Sequence, residues 1–155
     1  MLSSYELSNN GDCVTLTIAN RFEEMIKLAD WLQLIVADYQ LPEATGFALD
    51  LVLNEAVVNI ISYAYLDDLA HDINISLLNQ PQALVLEICD DGVAFNPFNA
   101  LAFDKTLSLE NASPNGRGIH LIKSYTLDQS YQRCDNFNII RLTIAKAAEL
   151  CAANV

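Results

Sequence analysis

The sequence predicts an α+β fold: a two-layer sandwich in which helices cover one face of a mixed, mostly antiparallel sheet. Three observations predict it. The helical patterns are grouped, two of them in succession, and the strand-like runs come mostly as pairs joined by short turns. The composition, 52% hydrophobic against 18% charged, is that of a core-rich globular chain. A doubly wound parallel sheet would need strands and helices in strict alternation, and that order is missing. At 155 residues the chain has the size of one domain, residues 1–155, and can bury roughly two-thirds of the surface its unfolded form exposes.

The elements follow in order. Residues 13–18 alternate Val14, Leu16 and Ile18 on one face, a strand pattern. Asn20 followed by Glu23 reads as a capping box opening a helix, with Phe22, Ile26, Ala29 and Leu32 or Gln33 at helical spacing, to about Tyr39. Pro42 suits the first turn of a second helix, to about Ala64. Residues 72–78 and 83–89 form a hairpin across Asn79-Gln80-Pro81-Gln82, a turn composition. From Asn96 to Asn115 there are two prolines and no sustained period, and a loop this long in a compact domain is usually functional or mobile. A third helix from Gly116 places Ile119, Ile122 and Tyr125-Thr126 on one face. Residues 127–134 and 138–145 make a last strand pair around Asp135-Asn136.

Charge excludes some functions. Twenty acidic side chains against eight basic ones give a formal charge of −12, which repels nucleic acid and anionic lipid, so no direct nucleic acid or membrane partner is expected. A basic protein partner is compatible with it. Any phosphate site must then rest on backbone N–H groups and a metal. The run from Phe47 to Tyr65 is long and apolar, but Asp50, Asn54, Glu55 and Asn59 would be costly in lipid, so it reads as a buried helix with one polar face. The cysteines at 13, 89, 134 and 151 have no C-x-x-C spacing and read as reduced, buried thiols. The N-terminus has no basic region followed by an apolar core, so no signal peptide is expected; with the cysteines read as reduced thiols, a cytoplasmic location is expected.

Three stretches carry chemistry. Glu55 and Asn59 share a helical face, with Ser62 and Tyr63 further along it. Their oxygens are hard ligands that suit Mg²⁺ if a nucleotide supplies the rest; judged alone, they read first as partly solvated polar residues of an amphipathic helix. Asp90-Asp91-Gly92 ends an apolar strand. An acid there can accept from the exocyclic amine of adenine beside a glycine that lets backbone approach a ligand; for this motif alone an ordinary acidic turn is the better reading. Asn115-Gly116-Arg117-Gly118 opens a helix, where free N–H groups and the helix dipole favour an anion. It is neither a Walker A loop nor a dinucleotide fingerprint, and taken alone it stands evenly between phosphate loop and simple turn.

Taken together, the helix E-x-x-x-N, the strand-end D-x-G-x-x-F, the long loop and the following G-x-G-I-x-L-I resemble the GHKL ATPase superfamily. Within it the resemblance is to the RsbW-like anti-sigma factor serine/threonine kinases. Residues 51–65 are similar to that group's N box, and Asp90-x-Gly92-x-x-Phe95-Asn96-Pro97 parallels its D-x-G-x-x-F-D-P. Leu107-Ser-Leu-Glu-x-Ala and Asn138-x-x-Arg141-Leu-Thr fit its lid and last strand, so the resemblance spans residues 13–146. It implies a Bergerat-type fold binding ATP and Mg²⁺ under a lid of about 96–115. Glu55 would be the general base and Asn59 the Mg²⁺ ligand. Asp90, with Gly92 beside it, would recognise adenine, Gly116 and Gly118 would contact the phosphates, and Phe95 and Ile119 would also belong to the cofactor-binding set. Arg117 reads equally as a phosphate neutraliser and as a surface arginine. Two departures stand out: Asn96 replaces the usual acid after Phe95, and Asn115 stands where a glycine is common.

The resemblance further implies an ATP-dependent protein-serine kinase of partner switching. It would bind a sigma factor or other regulatory protein and phosphorylate a serine of a STAS-domain anti-anti-sigma protein, as a possible homodimer. The alternative is an ATP-binding module that sequesters a partner without phosphoryl transfer; Glu55 argues against it, since a pure binder needs no base. A sensor histidine kinase ranks lower because no helical hairpin with a phosphorylatable histidine precedes the domain. A chaperone or mismatch-repair ATPase would need a much longer chain.

Overall fold

A computed structural model describes residues 13–98 and 114–146. The chain runs β1 (Cys13–Ala19), a single 3-10 turn (Phe22–Glu24), α1 (Met25–Asp38), α2 (Glu43–Tyr63), β2 (Asp72–Asn79), β3 (Ala83–Asp90), α3 (Pro114–Ser124), β4 (Asp128–Cys134) and β5 (Phe137–Ala145). The sheet order is β1-β2-β3-β5-β4, and all four pairings are antiparallel. The architecture is the predicted α+β sandwich. Most of the lid predicted over 96–115 lies outside the described residues.

Period-2 alternation builds the inner face of the sheet. Val14, Leu16 and Ile18 of β1 point the same way as Ile73, Ile75 and Leu77 of β2, Leu84, Leu86 and Ile88 of β3, and Ile140, Leu142 and Ile144 of β5. All are buried, each stabilising the fold by about 1.5–3 kcal/mol before entropic costs. Against them α2 buries Leu49, Val52, Leu53, Ala56, Val57 and Ile60. This helix is long and apolar enough to cross a membrane, but it is the central helix of the layer, packed on both α1 and α3.

Two local expectations are corrected. The buried stripe of α1 is Leu28, Trp31, Leu32 and Ile35, while Phe22 and Ile26 are exposed. Both stripes have helical spacing, and the one carrying the tryptophan removes more apolar surface from water. The capping box does not form either. Neither the 3-10 turn nor α1 has a side-chain N-cap bond; Glu24, not Glu23, reaches back to accept from the Ala19 N–H at 3.3 Å. Asn20 is used elsewhere, accepting from the His71 N–H at 2.9 Å.

Hairpin ends match the turn chemistry. Asp135 adopts φ 52°, the left-handed conformation a tight two-residue hairpin needs and Asp tolerates. At the end of the sheet away from Asp90, Lys146 Nζ donates to Asn79 Oδ1 at 2.8 Å and the Gln80 carbonyl at 2.9 Å. Three of the four cysteines differ from expectation, Cys13 and Cys89 being only half-buried and Cys134 exposed; Cys151 lies outside the described residues. Cys13 and Cys89 alternate out of phase with the inward rows, so they face away from the helical layer.

Candidate functional site

The inward row of β3 ends in a charge. Leu84, Leu86 and Ile88 are followed on the same face by Asp90, 2% exposed, and its register partner on β5 is Asn138, 3% exposed. A buried carboxylate is costly unless hydrogen-bonded. Asp90 Oδ1 accepts from the Gly92 N–H at 2.9 Å and from Asn138 Nδ2 at 3.0 Å. Among the described residues no donor is directed at Oδ2, which is left to accept from a ligand such as an exocyclic amine. Burial raises the Asp90 carboxyl above the usual carboxylate range, against the opposing pull of the Asn138 and Gly92 hydrogen bonds.

Asn138 organises the turn that follows. Its Nδ2 also donates to the Val93 carbonyl at 2.9 Å, and its Oδ1 accepts from the Tyr131 hydroxyl at 2.6 Å and the Phe95 N–H at 3.4 Å. Sequence reasoning treated Asn138 only as part of a strand motif. A signal was present: it is the one polar member of the inward series Asn138, Ile140, Leu142, Ile144. Gly92 is required by close approach, since a Cβ there would lie 2.5 Å from the Ala64 carbonyl oxygen and 2.6 Å from Ala64 Cβ. The Val93 N–H donates to that same carbonyl at 2.8 Å, joining the β3 turn to the end of α2. Arg133 Nη1 donates to the Gly92 carbonyl at 2.9 Å from the edge strand.

The second cluster lies between α2 and α3. A Cβ on Gly118 would sit 2.7 Å from Glu55 Oε2 and 3.4 Å from Asn59 Nδ2. The missing side chain therefore makes a cradle over both predicted residues, and it brings the first and third sequence motifs together. Glu55 and Asn59 are partly buried, and no ion pair among the described residues engages Glu55. Asp50 and Asn54, in the same polar stretch, are satisfied on their own helix: Asn54 Nδ2 donates to the Asp50 carbonyl at 2.7 Å and to Asp50 Oδ1 at 2.9 Å. Among the described residues no group of three or more His, Cys, Asp or Glu could hold a metal. A divalent cation here would share Asn59 with phosphate oxygens, which suits the hard oxygen donors and the open cradle.

The remaining predicted residues are placed as follows. α3 begins at Pro114, two residues earlier than expected, so Gly116 falls in its first turn and Gly118 is its fifth residue. Gly118 thus lies past the four unpaired N–H groups of a helix start, and its observed part is close packing rather than an exposed donor. Arg117 is exposed, and Ile119 is partly buried against the core. Phe95 is 55% exposed at the rim of the β3 turn, outside the hydrophobic core. Asn96, where an acid was expected, still accepts from the Phe98 N–H at 2.9 Å and so turns the chain.

Residues 18–144 match the family model of the histidine kinase-like ATPase domain. The chain is 33% identical over 119 residues to the serine/threonine-protein kinase BtrW of Bordetella bronchiseptica, covering 77% of this chain and 84% of that protein. Among solved structures it resembles the histidine kinase domain of the Erythrobacter litoralis EL346 blue-light activated histidine kinase, with TM-score 0.52 and 14% identity over 71% of this chain. It also resembles a second structure of that blue-light activated kinase, with TM-score 0.50 and 16% identity over 68% of this chain. The chain spans 48% and 32% of those two, so they bear on the fold. On the match to the family model and the 33% identity to BtrW, this chain belongs to the histidine kinase-like ATPases, the GHKL superfamily, on its RsbW-like branch.

Proposed function

We propose that this protein is a cytoplasmic, Mg²⁺- and ATP-dependent protein-serine kinase acting as an anti-sigma-type regulator in partner switching. Its phosphoryl acceptor is a serine of a STAS-domain anti-anti-sigma protein, and its second partner is a sigma factor or other regulatory protein. The observation that carries the reading is the apposition of Gly118, one residue past the first turn of α3, to Glu55 and Asn59, a carboxylate and a metal-capable amide on one face of α2. The 33% identity to a protein named as a serine/threonine kinase supports the kinase class.

In this reading each residue has a task. Asp90 Oδ2 accepts from the adenine amine, while Gly92 lets the turn close against Ala64. Phe95 borders the base from the rim. Asn59 would hold Mg²⁺, which when bound neutralises phosphate charge. The first turn of α3, with Gly116, offers backbone N–H groups to phosphate; Ile119 backs that turn, and Arg117 adds a cation from solvent. Glu55 takes the proton of the attacking serine hydroxyl as the serine O–P bond forms and the bond from the γ-phosphorus to the β–γ bridging oxygen breaks, with ADP leaving. Residues 96–115 act as the lid of a single domain spanning 1–155.

The test uses purified protein, Mg-ATP and a STAS-domain protein. Transfer of γ-phosphate to a serine is expected, and Glu55→Gln should lower it by roughly 10²–10⁴-fold while ATP still binds. Wild-type protein that binds ATP yet labels no STAS serine would make it a binding module instead.

A further inference from the structure

The loop between α2 and β2 is braced more heavily than a connection needs to be. The Asn20 N–H donates to the His71 carbonyl at 3.0 Å, Asn20 Oδ1 accepts from the His71 N–H at 2.9 Å, and the Leu69 N–H donates to Asp67 Oδ1 at 2.9 Å. The His71 ring lies at the centre. Its Nε2 is 2.8 Å from Asp67 Oδ1, and its Nδ1 is 3.2 Å from both oxygens of Asp91. The ring stacks on Tyr65, with centroids 4.5 Å apart and planes 21° apart. Asp91 stands between Asp90 and Gly92, so this ring touches the turn to which base recognition is assigned.

We propose, resting on the nucleotide reading above, that His71 is a positioning residue for base binding. By bridging Asp67 and Asp91, its imidazolium ties the 64–71 loop to the Asp90–Gly92 turn and holds that turn in its binding shape. Only the protonated ring can serve both carboxylates, because neutral imidazole has a single N–H. Once the proton is lost, one contact sets a nitrogen lone pair against a carboxylate oxygen. The hydrogen bonds to Asp67 and then Asp91 raise the His71 pKa above its ordinary value. The bridge is therefore complete below the ordinary histidine range and is lost as pH rises through the raised value.

Other charged groups belong to the same neighbourhood. Asp68 is on the loop, Asp72 follows His71 on β2, Asp90 ends β3, and Arg133 of β4 is engaged with the Gly92 carbonyl. The Tyr65 phenol is pushed up by burial and by Asp90, so it stays neutral. Of these side-chain types, histidine is the one whose ordinary titration falls near neutrality. Comparing variants that share all the other groups isolates it.

The experiment measures the ATP dissociation constant of wild type, His71→Arg and His71→Gln from about pH 6 to about pH 9, across the histidine range. The arginine keeps a cation at every pH, and the glutamine never has one. Relative to His71→Arg, wild-type affinity should weaken by about 3-fold as pH rises, the size expected of an exposed ion pair, while His71→Gln stays weak throughout. A wild-type to His71→Arg ratio that does not change with pH overturns the proposal. In the ligand-free protein the Gly92 amide NMR shift should follow the His71 titration. An amide that ignores it overturns the proposal even if His71→Arg fails to fold. If no protein binds ATP at any pH but the amide does follow His71, the nucleotide reading falls while the bracing of the turn stands.

Discussion

Replacing Asn138 by Asp turns a buried amide into a carboxylate of nearly the same shape, so packing is kept and only donors and charge change. Both Nδ2 hydrogen bonds, to Asp90 Oδ1 at 3.0 Å and the Val93 carbonyl at 2.9 Å, lose their donor. Two carboxylates at that separation inside the protein cannot both ionise, so the folded pair keeps one proton. In the unfolded chain both are ionised above about pH 5. The folded variant then binds one proton more, and its stability falls by about 1.4 kcal/mol per pH unit as pH rises. Wild-type Asp90, itself raised by burial, shares this direction: its contribution is full below the unfolded carboxylate value and is lost as pH passes the folded one.

From about pH 5 to about pH 7 the added loss approaches 3 kcal/mol as an upper bound. That is a large fraction of a total stability of about 5–15 kcal/mol and amounts to roughly 6–12 °C in Tm for a chain of this size. Thermal unfolding of wild type and Asn138→Asp at the two pH values measures it. A Tm deficit that is the same at both would refute the placement of Asn138 against Asp90.

Two further substitutions probe the glycines. Gly92→Ala drives a Cβ against the Ala64 carbonyl, a backbone atom that cannot rotate away; we expect about 1–3 kcal/mol of destabilisation together with weaker ATP binding, and a variant matching wild type in both would remove the case for that close approach. Gly118→Ala clashes with the flexible end of Glu55, Asn59 Nδ2 lying at an ordinary 3.4 Å, and gains up to about 1 kcal/mol of helix propensity. Unfolding should therefore show equal or higher stability while phosphotransfer drops by at least about 10-fold through displacement of Glu55; unimpaired transfer would mean that Glu55 is not held by this contact.

Much of the fold was legible because its signals are local. Alternation in residues 13–18, 72–78, 83–89 and 138–145 placed four of the sheet strands, the Asp135-Asn136 turn placed the more polar β4 over 127–134, and Pro42 marked the start of α2. Misreadings arose where two local solutions competed. On α1 the spacing of Phe22, Ile26 and Ala29 is as regular as that of Leu28, Trp31, Leu32 and Ile35, and only packing against β1 and α2 decides which stripe is covered. Asn20 has the right residue type for a cap, yet the α2–β2 loop offers it a better set of backbone partners.

The sequence by itself determined the order of elements, the inward rows of the sheet and the three motifs, since each depends on residues close along the chain. Only the tertiary structure decided which polar atoms meet. Asn138 finds Asp90 across 48 residues because β5 pairs with β3 in one particular register. Gly118 rests on Glu55 because α3 packs along α2, and His71 reaches Asp91 because β2 pairs with β3 and brings their ends side by side. Such contacts follow from sheet order and helix packing, which local patterns constrain but do not specify.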